Sequence, residues 1–311
     1  MTFALMFPGQ GSQAVGMGRE LAAASAAARR VFEEVDEALG EPLSTLIWDG
    51  PEDRLTLTSN AQPALMAVSL ATIRAMQERG FQLSAAAYVA GHSLGEYSAL
   101  AAAGALTVRD AARLLRTRGD AMQAAVPPGE GAMAALIGLE TDAVAALCAE
   151  AAGDGVCEIA NDNGGGQLVI SGTAPAVARA MALAGDRGAK RAIPLPVSAP
   201  FHSSLMQPAA ERMAEALAGA EIRAPEVPLV ANVLAQPVTA PDEIRRRLVE
   251  QVTGQVRWRE TVEFLAAAGV DTLIEVGSGK VLAGLARRID RNLKTHSLGT
   301  PADLDAAPWN G

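Results

Sequence analysis

The run Gly91-His92-Ser93-Leu94-Gly95, directly after the apolar stretch Tyr88-Val89-Ala90, constrains this chain more than any other feature. A G-x-S-x-G between a short strand and a helix is a nucleophile elbow. Its glycines permit a tight, strained turn that lifts a serine oxygen above the sheet, and the next backbone N–H lies ready to stabilise an oxyanion. The flanks fit this reading. Glu96-Tyr97-Ser98-Ala99-Leu100-Ala101-Ala102-Ala103 is rich in helix formers and stops at Gly104. The competing reading is a plain glycine-bounded turn, because the chain carries 30 glycines.

The segments around the elbow read as α/β. Phe3 to Phe7 is a buried-strand pattern that ends in the loop Pro8-Gly9-Gln10-Gly11-Ser12-Gln13, and Leu229 to Val233 and Thr272 to Val276 are further apolar runs. Helical stretches over Ser25 to Leu39, Pro63 to Arg79 and Pro208 to Ala218 separate them. Strands alternating with helices predict a mostly parallel sheet covered on both faces. The middle differs. Strand patterns over Gly131 to Leu139, Val156 to Asn161, Gln167 to Ser171 and Lys190 to Leu195 alternate with helices over Thr141 to Ala152 and Ala174 to Gly185. That order is β-α-β-β-α-β, the ferredoxin-like arrangement. Pro127-Pro128-Gly129 opens the segment, and Pro194, Pro196 and Pro200 close it. The expected architecture is an α/β-hydrolase-like large domain (1–126 and 198–296) with a parallel central sheet. A ferredoxin-like small subdomain (127–197) is inserted in it, and 297–311 form a loosely held tail.

Bulk properties exclude several classes. With 311 residues, half of them hydrophobic (50%) and a fifth charged (20%), the chain describes an ordinary folded core. The net charge of −9 without a Lys/Arg block argues against nucleic acid as a partner. Met1 to Phe7 lacks the positive region of a signal peptide, since the first basic residue is Arg19. The uncharged run Leu55 to Ile73 holds Ser59, Asn60, Gln62 and Pro63, which a membrane span rarely tolerates together. A soluble cytoplasmic protein is expected. Cys148 and Cys157 offer neither a metal spacing nor a disulfide framework, so no metal is expected, and both read as small buried hydrophobes. Two phosphate-loop patterns also fail: Gly9-Gln10-Gly11-Ser12-Gln13-Ala14 lacks its last glycine, and Gly277-Ser278-Gly279-Lys280 has Ile274 and Val281 at the wrong positions.

A serine nucleophile needs a base, and the chain has three histidines. His92 belongs to the elbow and should point away, and His296 lies beside the tail. His202, in Pro200-Phe201-His202-Ser203, returns the chain to the large domain, where a cleft would lie. Elimination makes His202 the base, against the alternative of a structural histidine. No third acid is apparent, so a Ser–His dyad held by a backbone carbonyl is acceptable. Arg118 is the second clue. In the predicted helix Arg109 to Ala125 it shares one face with Ala111, Leu115, Met122 and Ala125. An arginine on an apolar stripe must find an anion. That anion is either a carboxylate of the chain, such as Glu96 or Glu275, or the carboxylate of a substrate held bidentately.

Pro8 to Gln13, Gly91 to Glu96, Arg118-Gly119, Gly131-Ala132-Met133, Pro200-Phe201-His202, Gln251 to Trp258 and Glu275 to Leu282, taken in order, resemble the malonyl-CoA:acyl carrier protein transacylase family. The resemblance runs from the first strand to about Ile289. It implies that Ser93 takes malonyl from coenzyme A and that His202 serves as base and then acid. Gln10 and Leu94 supply the oxyanion N–H groups, Gln251 orients the histidine through its backbone carbonyl, and Arg118 holds the malonyl carboxylate. Met122, Phe201 and Asn163 are implied in the substrate pocket, with Phe201 at the position of the bulky residue in malonyl-selective relatives. The implied reaction is ping-pong, from malonyl-CoA to the phosphopantetheine thiol of holo acyl carrier protein. It needs no bound cofactor, and a monomer is expected. The acidic carrier would meet a basic rim, for which Lys190, Arg191, Arg287 and Arg288 are candidates. The chain departs from the family pattern at Ser278, where many relatives have proline, and over Val252 to Gln255. The alternatives are a serine esterase or thioesterase, the related transferase component of a malonate decarboxylase, and a catalytically idle docking module.

Overall fold

The first strand is buried throughout, and its side chains alternate between the two faces on which the large domain is built. Phe3, Leu5 and Phe7 face one apolar cluster, whereas Ala4 and Met6 face another. Period-two side chains of a strand covered on both sides behave in this way. The computed structural model describes residues 1–197 and 199–307. Its strands are β1 (Phe3–Phe7), β2 (Tyr88–Gly91), β3 (Gly131–Ile137), β4 (Cys157–Asp162), β5 (Gln167–Thr173), β6 (Arg191–Pro194), β7 (Leu229–Ala231), β8 (Gln236–Val238), β9 (Thr272–Val276) and β10 (Lys294–Leu298).

One sheet has the order β10-β9-β1-β2-β7-β8, parallel throughout except for the antiparallel pair β7 and β8. Helices Ala26–Leu39, Thr58–Glu78 and Val108–Ala124 supply the cluster on one face. Helices Trp258–Ala267 and Val281–Ile289 supply the other. The helix Thr58–Glu78 begins before Pro63, where the sequence pattern would start it. Nearly all of it is buried, so packing against neighbouring helices outweighs the missing N–H of Pro63.

The second sheet has the order β4-β5-β3-β6, antiparallel in every pair, with helices Thr141–Ala152 and Ala174–Ala184 on one face. This is the ferredoxin-like arrangement expected for the middle of the chain. Cys148 and Cys157 are both buried and free in its core. Its other face carries Met133, Ala135 and Val169 into the large cluster, so the insert shares the apolar core of the large domain. Its edge is also tied down: Val256 donates to the Ala160 carbonyl (2.8 Å), and Asp162 donates to the Val256 carbonyl (3.0 Å).

The segment from Ser297 is not a loose tail over its described part. Ser297 and Leu298 end β10, an edge strand paired in parallel with β9. Helix Pro301–Asp305 follows, with a capping box between Thr300 and Asp303. Leu298, Leu304 and Ala307 are buried in the main cluster, which anchors the segment despite its polar composition. Residues 308–311 of the expected tail and the expected boundary at Ser198 lie outside the described residues.

Candidate active site

The elbow is built from the end of β2. Gly91 closes the strand, and the helix Gly95–Ala102 starts four residues later with Leu94 at its N-cap. Between them Ser93 sits at a φ of 55°, a left-handed conformation that costs a non-glycine residue energy. A Cβ on Gly91 would lie 1.9 Å from the Gly95 carbonyl carbon, and one on Gly95 would lie 2.3 Å from the Phe7 oxygen. Only glycine fits either place. Asn232, just past β7, clamps the turn: its Oδ1 accepts from the Ser93 N–H (2.8 Å), and its Nδ2 donates to the Gly91 carbonyl (2.7 Å).

His202 reaches the serine from the segment after the small sheet. Its Nε2 lies 2.7 Å from Ser93 Oγ. Its Nδ1 lies 2.9 Å from the Gln251 carbonyl and 3.0 Å from the Gly254 carbonyl. Two carbonyls can only accept, so Nδ1 carries the proton and Nε2 is left to accept from the serine hydroxyl. Burial, with the Arg118 charge as the next cause, pushes the imidazole down to about 3, so it is neutral near pH 7. A buried neutral imidazole on a serine hydroxyl is the geometry of an activated nucleophile, with backbone carbonyls in place of a third acid.

Arg118 comes from the helix Val108–Ala124 and is 1% exposed. Its Nη1 donates to Gln62 Oε1 (2.8 Å), and its Nη2 donates to Gln251 Oε1 (2.7 Å) and Ser93 Oγ (3.2 Å). Its Nε has no partner, and no carboxylate forms an ion pair with it among the described residues. Neither carboxylate considered from the sequence pairs with it directly. Glu275 instead accepts from the Ala283 N–H (2.9 Å) and the Leu282 N–H (3.1 Å) at the start of a helix. Glu96 is held by Gln251 and Asn232. Arg118, Ser93 and His202 line one cavity of about 250 Å³ together with Gln10, Leu94, Met122 and Phe201. Among the described residues the Gln10 and Leu94 backbone N–H groups have no backbone acceptor.

The acyl transferase domain family matches residues 4–297. The malonyl CoA-acyl carrier protein transacylase of Bacillus subtilis strain 168 is 48% identical over 305 residues, covering 98% of this chain and 95% of the relative. The crystal structure of an acyl-carrier-protein-S-malonyltransferase from Bartonella henselae is 59% identical, with a TM-score of 0.97 and 98% of both chains covered. A solved type II PKS acyl-carrier protein in complex with its malonyl-transacylase matches at 43% identity and a TM-score of 0.97, over 100% of both chains. The chain belongs to the malonyl-CoA:acyl carrier protein transacylase family.

As a member of that family the protein is an acyltransferase, and much of its site was not legible residue by residue. Asn163 is not in the cavity wall; Asn161 is. The chain turns away at Gly164, and Asn163 Oδ1 instead lies 3.0 Å from His92 Nε2. His92 packs beside Trp258, and burial holds its pKa below the usual imidazole range. Gln62 was legible only as a polar interruption of an apolar run. It accepts from Arg118 and donates to Thr58 Oγ1 (2.9 Å), which donates to Gln10 Oε1 (2.9 Å). The Gly254 carbonyl and Asn232 carried no sequence signal. Among the described residues no group of three or more His, Cys, Asp or Glu could hold a metal ion, and no helix is long and apolar enough to cross a membrane.

Proposed function

We propose that this acyltransferase moves malonyl from malonyl-CoA to the phosphopantetheine thiol of holo acyl carrier protein through a malonyl-Ser93 ester, for fatty acid or polyketide synthesis. The observation that carries the reading is Arg118: a guanidinium 1% exposed, without a paired carboxylate among the described residues, with Nη2 3.2 Å from the serine oxygen. An acyl group on Ser93 that bears a second carboxylate meets that charge, whereas acetyl does not.

In the first half-reaction Ser93 Oγ attacks the thioester carbonyl while His202 Nε2 takes its proton. The N–H groups of Gln10 and Leu94 stabilise the oxyanion. The C–S bond then breaks, and coenzyme A leaves with the proton from His202. In the second half-reaction the carrier's thiol gives its proton to His202 and attacks the ester, and His202 returns the proton to Ser93. The carbonyls of Gln251 and Gly254 keep Nδ1 protonated, while Met122 and Phe201 shape the acyl pocket. No bound cofactor is required for these steps. The large part (1–126 and 198–296) supplies the reacting groups, and the insert (127–197) covers them. The solved complex of a relative with a type II PKS acyl-carrier protein supports carrier docking, and the exposed Lys190, Arg191, Arg287 and Arg288 form its basic rim. The protein acts as a cytoplasmic monomer.

Intact mass spectrometry after mixing with malonyl-CoA tests the reading. One malonyl adduct is expected, absent in Ser93→Ala and discharged only when holo carrier protein is added. Rapid loss of the adduct to water would establish a thioesterase instead. Discharge only to the carrier of a decarboxylase would establish that complex's transferase.

A further inference from the structure

Glu96 is a buried carboxyl that the steps above do not use. It stands in the first turn of the elbow helix, 1% exposed, with its two oxygens divided between two partners. Oε1 accepts from the Asn232 N–H (2.7 Å), and Oε2 accepts from Gln251 Nε2. Each partner then reaches the reacting centre. Asn232 grips the Ser93 N–H and the Gly91 carbonyl. Gln251 donates to the Ser93 carbonyl (2.9 Å), accepts from Arg118 Nη2 through Oε1, and holds His202 through its backbone oxygen.

An amide has a donor end and an acceptor end, and nothing in its shape fixes which way round it lies. In Gln251 the choice is made by its neighbours. A carboxylate on one side takes the NH₂, which leaves the oxygen for the guanidinium on the other. If Glu96 loses its charge, the donor end keeps the Ser93 carbonyl but loses its charge-assisted acceptor, so the amide oxygen is held less firmly on Arg118. We propose that Glu96 is a positioning residue for acyl transfer, one carboxylate that sets the elbow through Asn232 and aims Arg118 at the acyl carboxylate through Gln251. This rests on the malonyl-transfer reading above.

The proposal has a pH consequence. Burial raises the Glu96 carboxyl to about 7, opposed by its bonds to Asn232 and Gln251 and by the charge of Arg118. The titratable groups around it are Tyr97 on its own helix, Arg118, and beyond Gln251 the neutral His202. Burial raises Tyr97 and lowers His202, so both are neutral where Glu96 titrates. As pH rises through about 7, Glu96 gains its charge and Gln251 is held more firmly in the productive orientation. Selectivity for malonyl over acetyl should therefore rise with pH over that range.

The test is kcat/KM for malonyl-CoA and acetyl-CoA from pH 5.5 to 8.5, followed as formation of the acyl-enzyme. The expected result is a malonyl-to-acetyl ratio that falls several-fold below about pH 7 in the natural protein. Glu96→Gln should show a ratio lowered about tenfold and flat with pH, and Glu96→Asp should restore part of both. Glu275→Gln removes a buried carboxyl that only caps a helix, and it should keep the natural ratio and its pH dependence. A ratio independent of pH in the natural protein overturns the proposal. A folded Glu96→Gln with unchanged ratio and profile also overturns it. Should Glu96→Gln fail to fold, the natural protein's profile and Glu96→Asp decide. Absence of any malonyl adduct on the natural protein would instead sink the malonyl-transfer reading.

Discussion

Arg118 and Arg259 invert what solvation alone would arrange. Arg259 has a third of its side chain in water (34%) and is neutralised twice, by Asp162 (2.9 Å) and Glu263 (3.0 Å). Arg118 has almost none in water and, among the described residues, is paired with no carboxylate; its hydrogen bonds go to amide and hydroxyl oxygens. The half-exposed cation needs its partners less, because water already solvates part of it. The buried cation is the one that needs an anion. A fold that leaves the buried one without a carboxylate while furnishing the half-exposed one supports the proposal that the charge arrives with the substrate. On that proposal the difference separates an arginine that serves the scaffold from one that serves the ligand.

That contrast breaks most readily at Arg118 itself. Arg118→Ala should lower kcat/KM for malonyl-CoA by about 10²–10³, the ~2–5 kcal/mol seen when one partner of a buried charge pair is removed. Acetyl-CoA should be affected far less, so the preference swings towards it. An unchanged malonyl-to-acetyl ratio would make Arg118 a scaffold residue like Arg259. Gln62→Ala comes next. It strips the acceptor from Nη1, a loss of about 1–3 kcal/mol for a buried donor. We expect roughly a tenfold fall in malonyl loading, read by stopped-time intact mass, with the carbonyl chemistry intact.

A smaller effect concerns the base beside the unpaired cation. The folded-state pKa of His202 is depressed to about 3 from an ordinary 6.5. Its contribution to stability is therefore full above about 6.5 and is lost as pH falls towards 3. Urea titrations between pH 7 and pH 4 should show a decline that is shallower in His202→Gln. An equally steep decline in that variant would mean that the imidazole is not held neutral. The smallest effect is expected at the furnished arginine. Asp162 keeps the Gly164 N–H (3.1 Å) and the Thr141 hydroxyl (3.3 Å) when Arg259 is removed. Arg259→Ala should cost about 0.2–1 kcal/mol in urea unfolding and leave acyl selectivity alone. A change in selectivity would erase the distinction drawn above.

What could be read from the chain divides along the same line between local and assembled features. The elbow is legible because five consecutive residues hold its geometry, and the ferredoxin-like insert because each of its elements has its own period. Arg118 announces itself as one charge on an otherwise apolar face. Asn232 and Gln62 announce nothing, since a polar residue after a strand or within a buried helix acquires meaning only from what the fold sets opposite it. The error at Asn163 has the same origin. Two asparagines lie two positions apart, and only the fold shows that Asn163, just past β4, meets His92 while Asn161 borders the cavity. The segment from Ser297 to Ala307 reads as loose in the sequence because an edge strand is only half buried, so β10 lacks the apolar alternation that betrays interior strands.

The glycines at 91 and 95 set the terms on which this enzyme could be redesigned. A methyl group at either one would collide with backbone, which cannot swing aside as a side chain can. The site thus has a fixed part and an adjustable part. Met122 and Phe201 border the cavity with side chains rather than backbone, so on the proposed reading they are the places to change its size. Directed evolution towards new extender units should accumulate its changes there and around Arg118, and leave the serine and its turn untouched.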